Sequence, residues 1–535
     1  MLYKRIEISI LLLISSAVLW FTTIINLFPY KVDASDFLGL TSHLPLTYWI
    51  GLLLLTLCFV LIYFGRTQRE GFHIFSLIML SLYLFAIPLA TLESPSHHSY
   101  RNLSELKEIV ISGHINPEVS SGPVTLYYSW PALHFIGAFL INILGIEWIN
   151  VGQLLKYWEL VWIIAVVLIT FCLGKELESQ RNRYFIIPLL LVSSFWVPQY
   201  HFSPQSIAYI YFLLFFILIP YETKSKFILG LIIYVSLTLT HCLTSFVVLI
   251  ILLISFYKMR SRIPFLISSG VFVAWNLFPA NSSFSFGISN ILKETFSLGQ
   301  LHFLTASTKV LPATEQRSIV NMFRFFIIAI LLIYGVLAII FVIKKKQIKQ
   351  NNNLLFFSLL FLSIFAMNSI SYSIEGFERY FIFWLVPLIC VITLSYTLRS
   401  KALLLLILIL ISLHVPAHYG SESFDMTRKM DLIGSRFFAF EAYPQQYYYD
   451  FPFYIWYYEE EWSVIPREES EIAYYKSPIE IITRSIRSKY IIDSEQFDNA
   501  ARFFIGANPI RIWIKQNRVN LAYNNAHFWI YVSQA

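Results

Sequence analysis

The residues of this chain that could do chemistry are carboxylates, imidazoles and a guanidinium gathered at the ends of long apolar runs. The densest stretch is Glu93 to His134, ESPSHHSYRNLSELKEIVISGHINPEVSSGPVTLYYSWPALH, with four histidines, three tyrosines and a tryptophan beside several carboxylates. Glu93 is the first residue after an apolar run, and His97, His98, Tyr100 and His114 follow it. An ionised carboxylate so placed can take a proton from a hydroxyl, with imidazoles to orient it. Further on, His201 and Gln205 flank Pro204, His241 stands in the otherwise apolar LTLTHCLTSF, and Glu378-Arg379 immediately precede another apolar run. The fork of donors on a guanidinium suits a phosphate at headgroup level. Each residue also has a plain structural reading: Glu93 as a water-interface marker, His97 and His98 as solvated groups, Pro204 as a helix opener, His241 as a partnered core residue and Arg379 as a snorkelling anchor. Their convergence on one face is the stronger argument.

What must position them is a membrane scaffold. The chain has 535 residues, 57% of them hydrophobic and only 13% charged, and its mean hydropathy is +0.64. It repeatedly offers apolar runs of the ~20 residues that cross ~30 Å of hydrocarbon, so the expectation is a polytopic α-helical membrane protein of about 11–13 spans by that length rule. The net charge of +7 comes from short Lys and Arg clusters between the runs, as the positive-inside rule requires, and makes no nucleic-acid surface. The four cysteines lie in apolar runs with no paired-Cys metal spacing and imply no disulfide framework.

Lys4 and Arg5 precede an apolar run from Ile10 to Leu27, too long and without the cleavage site of a removable signal, which places the N-terminus in the cytoplasm. The first outer segment carries Asp33, Asp36 and His43, and a second span returns to the basic segment Arg66 to Arg69. The third span, about Phe75 to Leu92, delivers the loop 93–130 to the outside, and within it Leu103, Leu106, Ile109 and Val110 predict an amphipathic helix on the bilayer surface. Pro131 to Leu144 and Val161 to Leu173 read as two crossings, which would put Lys175, Arg181 and Arg183 outside against the charge rule. Either one of them is re-entrant or surface-lying, or the cluster is an exception.

Phe227 to Thr240 and Phe246 to Tyr257 then form a short pair of spans around an outer turn at His241 to Ser245, in a register that also puts His201 and Gln205 outside. A long outer loop follows at 280–321, with Asn281-Ser282-Ser283, like Asn102-Leu103-Ser104, fitting a glycosylation acceptor. Lys344 to Lys346 mark the cytoplasmic end of Phe325 to Ile343. Residues 1–416 thus form a membrane module and 417–535 an extracytoplasmic C-terminal domain of mixed α/β type. Its Ile510 to Val532 alternate around Asn524-Asn525 as a strand pair. Tyr447 to Tyr458 are its core or an interfacial aromatic belt. No Gly-rich phosphate loop, His-Glu-x-x-His motif, nucleophile elbow or repeat is found.

The run from Glu93, through a loop helix ending at Ser112-Gly113-His114, to Tyr127-Tyr128-Ser129-Trp130-Pro131 at the head of the next apolar run resembles the first outer loop of the GT-C superfamily of membrane glycosyltransferases, which use polyprenyl-phosphate-linked sugars. Glu378-Arg379-Tyr380 and the C-terminal outer domain are similar to archaeal and bacterial members. The resemblance implies a GT-C-like fold and a hexosyltransferase taking its sugar from a polyprenyl-phosphate donor in the membrane, for a glycan, lipid or protein acceptor. Glu93 would be the general base, Arg379 the donor-phosphate ligand, and His201, Gln205, His241, His97, His98, Tyr100 and His114 donor-binding groups. Members usually carry an aspartate, often in an acid pair, where this chain has a lone Glu93; Asp36, in Asp33-Ala34-Ser35-Asp36, is the rival. No cofactor is assigned, a divalent cation being the one candidate. A lipid-linked polysaccharide ligase or polymerase would also present outer Arg and His to such a donor without needing a carboxylate base. A transporter would need polar or broken helices at mid-depth, and an assembly protein would carry its function in the outer domain.

Overall fold

The computed structural model describes residues 2–29, 38–65, 70–90, 97–114, 129–146, 148–176, 183–195, 201–218, 223–255, 262–281, 283–285, 315–344, 352–367, 376–395 and 400–420, with strand segments at 447–449, 490–494, 520–524 and 528–532. The helices are α1 (Leu2–Leu27), α2 (Leu46–Gly65), α3 (Glu70–Phe85), α4 (His97–Ser112), α5 (Ala132–Leu144), α6 (Trp148–Glu176), α7 (Arg183–Ser193), α8 (Pro204–Leu218), α9 (Lys224–Thr240), α10 (Cys242–Ser255) and α11 (Ile263–Leu277). After them come α12 (Glu315–Lys344), α13 (Asn352–Met367), α14 (Gly376–Ser395) and α15 (Ser400–Tyr419), with single 3-10 turns at Gly39–His43 and Ile87–Ala90. Among the described residues, four segments, Ile6–Leu27, Tyr157–Glu176, Ile319–Phe341 and Lys401–Tyr419, are long and apolar enough to cross a membrane. Eight further apolar helices are shorter. The protein is helical and suited to a membrane: one core cluster runs through the bundle, while α1, α5 and α12 present large apolar side chains outward.

The direction of the helices follows from a few contacts. Lys175 at the end of α6 pairs with Glu70 at the start of α3 at 2.9 Å, and Lys226 at the start of α9 approaches Glu176 at 3.7 Å. Exposed pairs of this kind are worth about 0–1 kcal/mol, so they mark position and do not hold the bundle together. They gather the end of α6 and the starts of α3 and α9 at one end of the bundle, here called the charged end. Trp158 and Trp162 of α6 meet Phe202 and Ser206 respectively, at 5.3 Å between rings and 2.8 Å from indole N–H to carbonyl. Both contacts advance together, so α6 and α8 run parallel and both start at the opposite end, the loop end.

The ambiguity between Pro131 and Arg183 is resolved by this geometry. The start of α5 is tied to the end of α11 through Trp130 Nε1 to Asn276 Oδ1 at 3.3 Å and Trp275 Nε1 to the Ser129 carbonyl at 2.9 Å. Its middle meets Phe202: a Cβ on Gly137 would fall 2.8 Å from Leu106 and 3.3 Å from Phe202. A helix of 13 residues is only ~20 Å long against ~30 Å of hydrocarbon, and both of these contacts are at the loop end. α5 is therefore not a crossing, and Lys175 lies with Glu70, not at the opposite end as a two-crossing count requires.

The expected loop helix is α4, with Leu103, Leu106 and Ile109 buried and Val110 partly so. Its apolar face packs on α5 and α6, a correction to the expectation that it lies on lipid. Tyr100 seats against Gly152, where a Cβ would come within 3.0 Å of the ring. Asn102 Nδ2 donates to the carbonyl of Phe202 at 2.7 Å and the residue is 3% exposed. It is thus no glycosylation acceptor in the folded protein, whereas Asn281 is exposed. α12 begins at Glu315, inside the expected 280–321 loop and earlier than the expected Phe325 start. The outer turn expected at His241 to Ser245 is a single residue, since α10 starts at Cys242.

The last described helix runs through Pro416 to Tyr419, just past the expected boundary at 416. Beyond it the described residues form one sheet of order β1-β2-β4-β3, from Tyr447–Tyr449, Tyr490–Ser494, Asn520–Asn524 and Phe528–Val532. β1 and β2 are parallel and the other pairs antiparallel, with Asn524 opposite Trp529 across the expected hairpin. The remainder of the expected mixed α/β domain lies outside the described residues.

Docking of α4 gives a first prediction. Asn102→Ala removes the donor and strands a buried carbonyl, a loss of roughly 1–3 kcal/mol. Amide exchange should then rise about tenfold or more across 97–112 while the α6–α8 core stays protected; unchanged exchange in α4 would mean that this hydrogen bond does not hold the helix.

Candidate functional site

The loop end of the bundle is where polar side chains concentrate, and the start of α8 is its centre. Ser203 is the residue before α8: its Oγ accepts from the Ser206 amide at 3.3 Å and its carbonyl from Ser206 Oγ at 2.8 Å. Pro204 fills the first helical position, where no amide donor is needed. The cap fixes the direction in which the chain enters from His201 and Phe202. Asn102 of α4 holds the Phe202 carbonyl, and Trp158 of α6 stands edge-on to its ring at an interplanar angle of 85°. Three elements, α4, α6 and α8, therefore meet at His201 to Gln205.

Within α6 the residues Gly152, Leu155, Glu159, Trp162 and Ile163 recur at helical spacing. Gly152 touches Tyr100 of α4. Trp162 donates to the Ser206 carbonyl and stacks on Tyr209 of α8 with ring centroids 5.9 Å apart. Glu159 lies on that stripe between the two contacts. It is 3% exposed, and Oε2 has no hydrogen-bond partner. The same holds for Ser99 Oγ beside Tyr100, Trp158 Nε1, Gln205 Nε2 and Tyr209 OH. A buried polar group left unpaired costs roughly 1–3 kcal/mol, and more if it is charged, so five on three adjoining elements mark a place where something polar belongs.

The expected site residues fall out unevenly. His201 and Gln205 are buried at the loop end. Arg379 lies in the first turn of α14, whose start is placed at the same end by Phe381 against Phe195, 5.1 Å apart. Phe195 in turn belongs to the layer of His418, whose Nδ1 is 3.0 Å from its carbonyl. His97 and His98 are the first two residues of α4. Tyr100 is 1% exposed and serves the α4–α6 contact. His114 is exposed beyond Gly113, whose φ of 74° ends α4 in the left-handed conformation that glycine accepts. His241 caps α10: its Nδ1 is 2.8 Å from Thr244 Oγ1 and 3.4 Å from the Thr244 amide. Glu93 and Asp36, the two rival carboxylates, lie outside the described residues, Glu93 between Ala90 and the start of α4 at His97.

Several polar residues at this end escaped the sequence reading. Ser129 Oγ and Ser283 Oγ meet at 2.7 Å, and Arg324 Nε donates to the Ala417 carbonyl at 2.9 Å. His414 and His418 stack at 5.3 Å, each with Nδ1 3.0 Å from a carbonyl, Val192 and Phe195. Glu159 had a legible signal, since it is a carboxylate on the apolar stripe of a helix. Reading the span as starting at Val161 hid it. Among the described residues no group of three or more His, Cys, Asp or Glu is placed to hold a metal ion. The chain matches no protein-family model and no curated protein.

Proposed function

We propose that the protein is a GT-C-like membrane glycosyltransferase that moves a sugar from a polyprenyl-phosphate donor to an acceptor hydroxyl at the extracytoplasmic face. The observation that carries this reading is the gathering of His201, Gln205 and the helix start that bears Arg379 at one end of the bundle, beneath the docked helix α4. The opposite end holds Glu70, Lys175, Glu176 and Lys226. With the basic segments 66–69, 258–262 and 344–346 it forms the cytoplasmic side by the positive-inside rule. α5 returns to the loop end, so the count removes one crossing from the membrane module. Residues 417–535 form an extracytoplasmic domain.

Polyprenyl phosphate is already a good leaving group, so transfer needs one carboxylate to take the acceptor proton and no second acid to assist departure. Glu93 supplies the carboxylate at the head of the α4 loop. Arg379 offsets charge on the departing phosphate, with His201 nearby at the same end. His241 uses Nδ1 in the α10 cap, so it would meet the donor through Nε2. The lipid tail runs between the helices and the sugar lies under α4. The ligase or polymerase reading shares the donor and the face, and separates from this one by not needing the carboxylate.

Three tests follow. In a background without the four native cysteines, single cysteines near Ser121 and Ser485 should be labelled by an impermeant thiol reagent in intact cells and one near Gln347 should not; the reverse pattern inverts the topology and removes the proposed active face. Arg379→Lys keeps the charge but loses the bidentate fork, so donor affinity should drop markedly, and Arg379→Ala should lower it further. Donor affinity unchanged from the wild type in both variants leaves Arg379 as an interface anchor. Finally, Glu93→Gln should keep folding and lipid binding yet cut turnover about 10²-fold or more, with Glu93→Asp retaining part of the rate. Normal turnover in Glu93→Gln with a dead Asp36→Asn would move the base to Asp36, and activity in both would leave the ligase reading.

A further inference from the structure

The unpaired polar atoms at the α4–α6–α8 junction carry more than a general polar character. We infer that Glu159, Trp158 and Gln205 form the subsite for a polyhydroxylated ring, the sugar unit of the lipid-linked donor; this rests on the glycosyl-transfer reading above.

Glu159 and Gln205 are 3% and 8% exposed, Ser99 is 1% exposed, and none of their orphaned atoms has a partner. Their positions are tied by contacts on either side. Trp158, the neighbour of Glu159, meets Phe202 just before α8, and Trp162, one turn beyond Glu159, donates to Ser206, the neighbour of Gln205. Ser99 enters from α4 beside Tyr100, which rests on Gly152 of the same α6 stripe.

The mixture of donors and acceptors selects the ligand. A carboxyl oxygen accepts, an indole N–H and an amide N–H₂ only donate, and a hydroxyl does both. A cation would meet the N–H groups of Trp158 and Gln205, which repel it. A phosphodiester only accepts, so it could meet Trp158 and Gln205 but would leave the carbonyl oxygen of the Glu159 carboxyl without a donor. A ring bearing several hydroxyls satisfies every member, because each hydroxyl can donate to Glu159 and accept from Trp158 or Gln205. The subsite also lies at the same end as the first turn of α14, where Arg379 would hold the phosphate that bears the sugar. These atoms are buried, so a ligand lacking the hydroxyls leaves them unpaired, and such sites discriminate strongly against the analogue without the group.

The test compares two ligands on the full chain in lipid nanodiscs: bare polyprenyl phosphate, and polyprenyl phosphates carrying glucose, mannose or galactose. The wild-type protein should bind at least one sugar-bearing lipid about tenfold or more tightly than the bare phosphate, the scale of one buried polar group left unpaired. Glu159→Gln and Trp158→Phe should each remove most of that preference while leaving affinity for the bare phosphate unchanged. The phenyl ring of Trp158→Phe keeps the edge contact with Phe202 and deletes only the donor, so this variant carries the test alone if Glu159→Gln does not fold. A preference retained in a folded variant overturns the assignment of the subsite and leaves glycosyl transfer standing. A wild-type protein that binds no sugar-bearing lipid better than the bare phosphate overturns the glycosyl-transfer reading itself, and the subsite with it.

Discussion

A helix that stops inside an apolar bundle leaves carbonyls that neither lipid nor water can satisfy, and α7 is such a helix. It ends at Ser193, and the carbonyls of Val192 and Phe195 at that end are met by Nδ1 of His414 and of His418, each at 3.0 Å. A carbonyl only accepts, so each ring carries its proton on Nδ1. One turn apart on α15, the rings stack on each other and lie edge-on to Phe85 at 5.1 and 5.4 Å. The end of α3 is thereby fixed beside the end of α7, and the connection toward Glu93 leaves from there. Thr41 Oγ1 reaches the Val415 carbonyl in the same helix at 3.4 Å. Backbone satisfaction in an apolar medium thus sets where the loop end is built.

The close approach of Gly39 extends the same constraint. Its φ of 51° is left-handed, and a Cβ there would lie 2.6 Å from the Tyr419 carbonyl. The segment after α1 can therefore lie against the end of α15 only with glycine at that position. Asp36 precedes this glycine in sequence, Glu93 follows Ala90, and Arg379 lies in the first turn of α14, whose Phe381 meets Phe195. The described elements next to these three residues in sequence, the Gly39–His43 turn, the end of α3 and α14, meet around the two histidines.

Much of this was readable in the residues. The membrane class followed from apolar run length, α4 from the spacing of Leu103, Leu106 and Ile109, the β3–β4 hairpin from its alternation, and the start of α8 from Pro204. What could not be read were the features decided by contacts between elements. Hydropathy counted Pro131 to Leu144 as a crossing because its residues are apolar all round; only the contacts with Asn276 and Phe202 show that it returns to the end it came from. Asn102 fitted a glycosylation tripeptide because a sequence does not reveal that its amide is spent on the Phe202 carbonyl. His241 looked equally suited to ligand and to core, and its capping of α10 depends on the one-residue joint between two helices.

The polar residues of the loop end divide by one property that no single sequence displays, which is whether their hydrogen-bonding capacity is already used. Ser129, Asn276, His241 and His418 make bonds that end helices or seat α5; their polarity is spent on the fold, while His414 gives Nδ1 to the end of α7 and keeps Nε2 buried without a partner. Glu159, Trp158 and Gln205 keep atoms that are buried and unpaired, which a stable bundle does not retain for packing alone, since an apolar side chain of similar volume would cost less. Function in a membrane protein is better sought among the second group than among the first. The carboxyl of Glu159, on an otherwise apolar stripe and one turn from a tryptophan that is fully engaged, belongs to the second group.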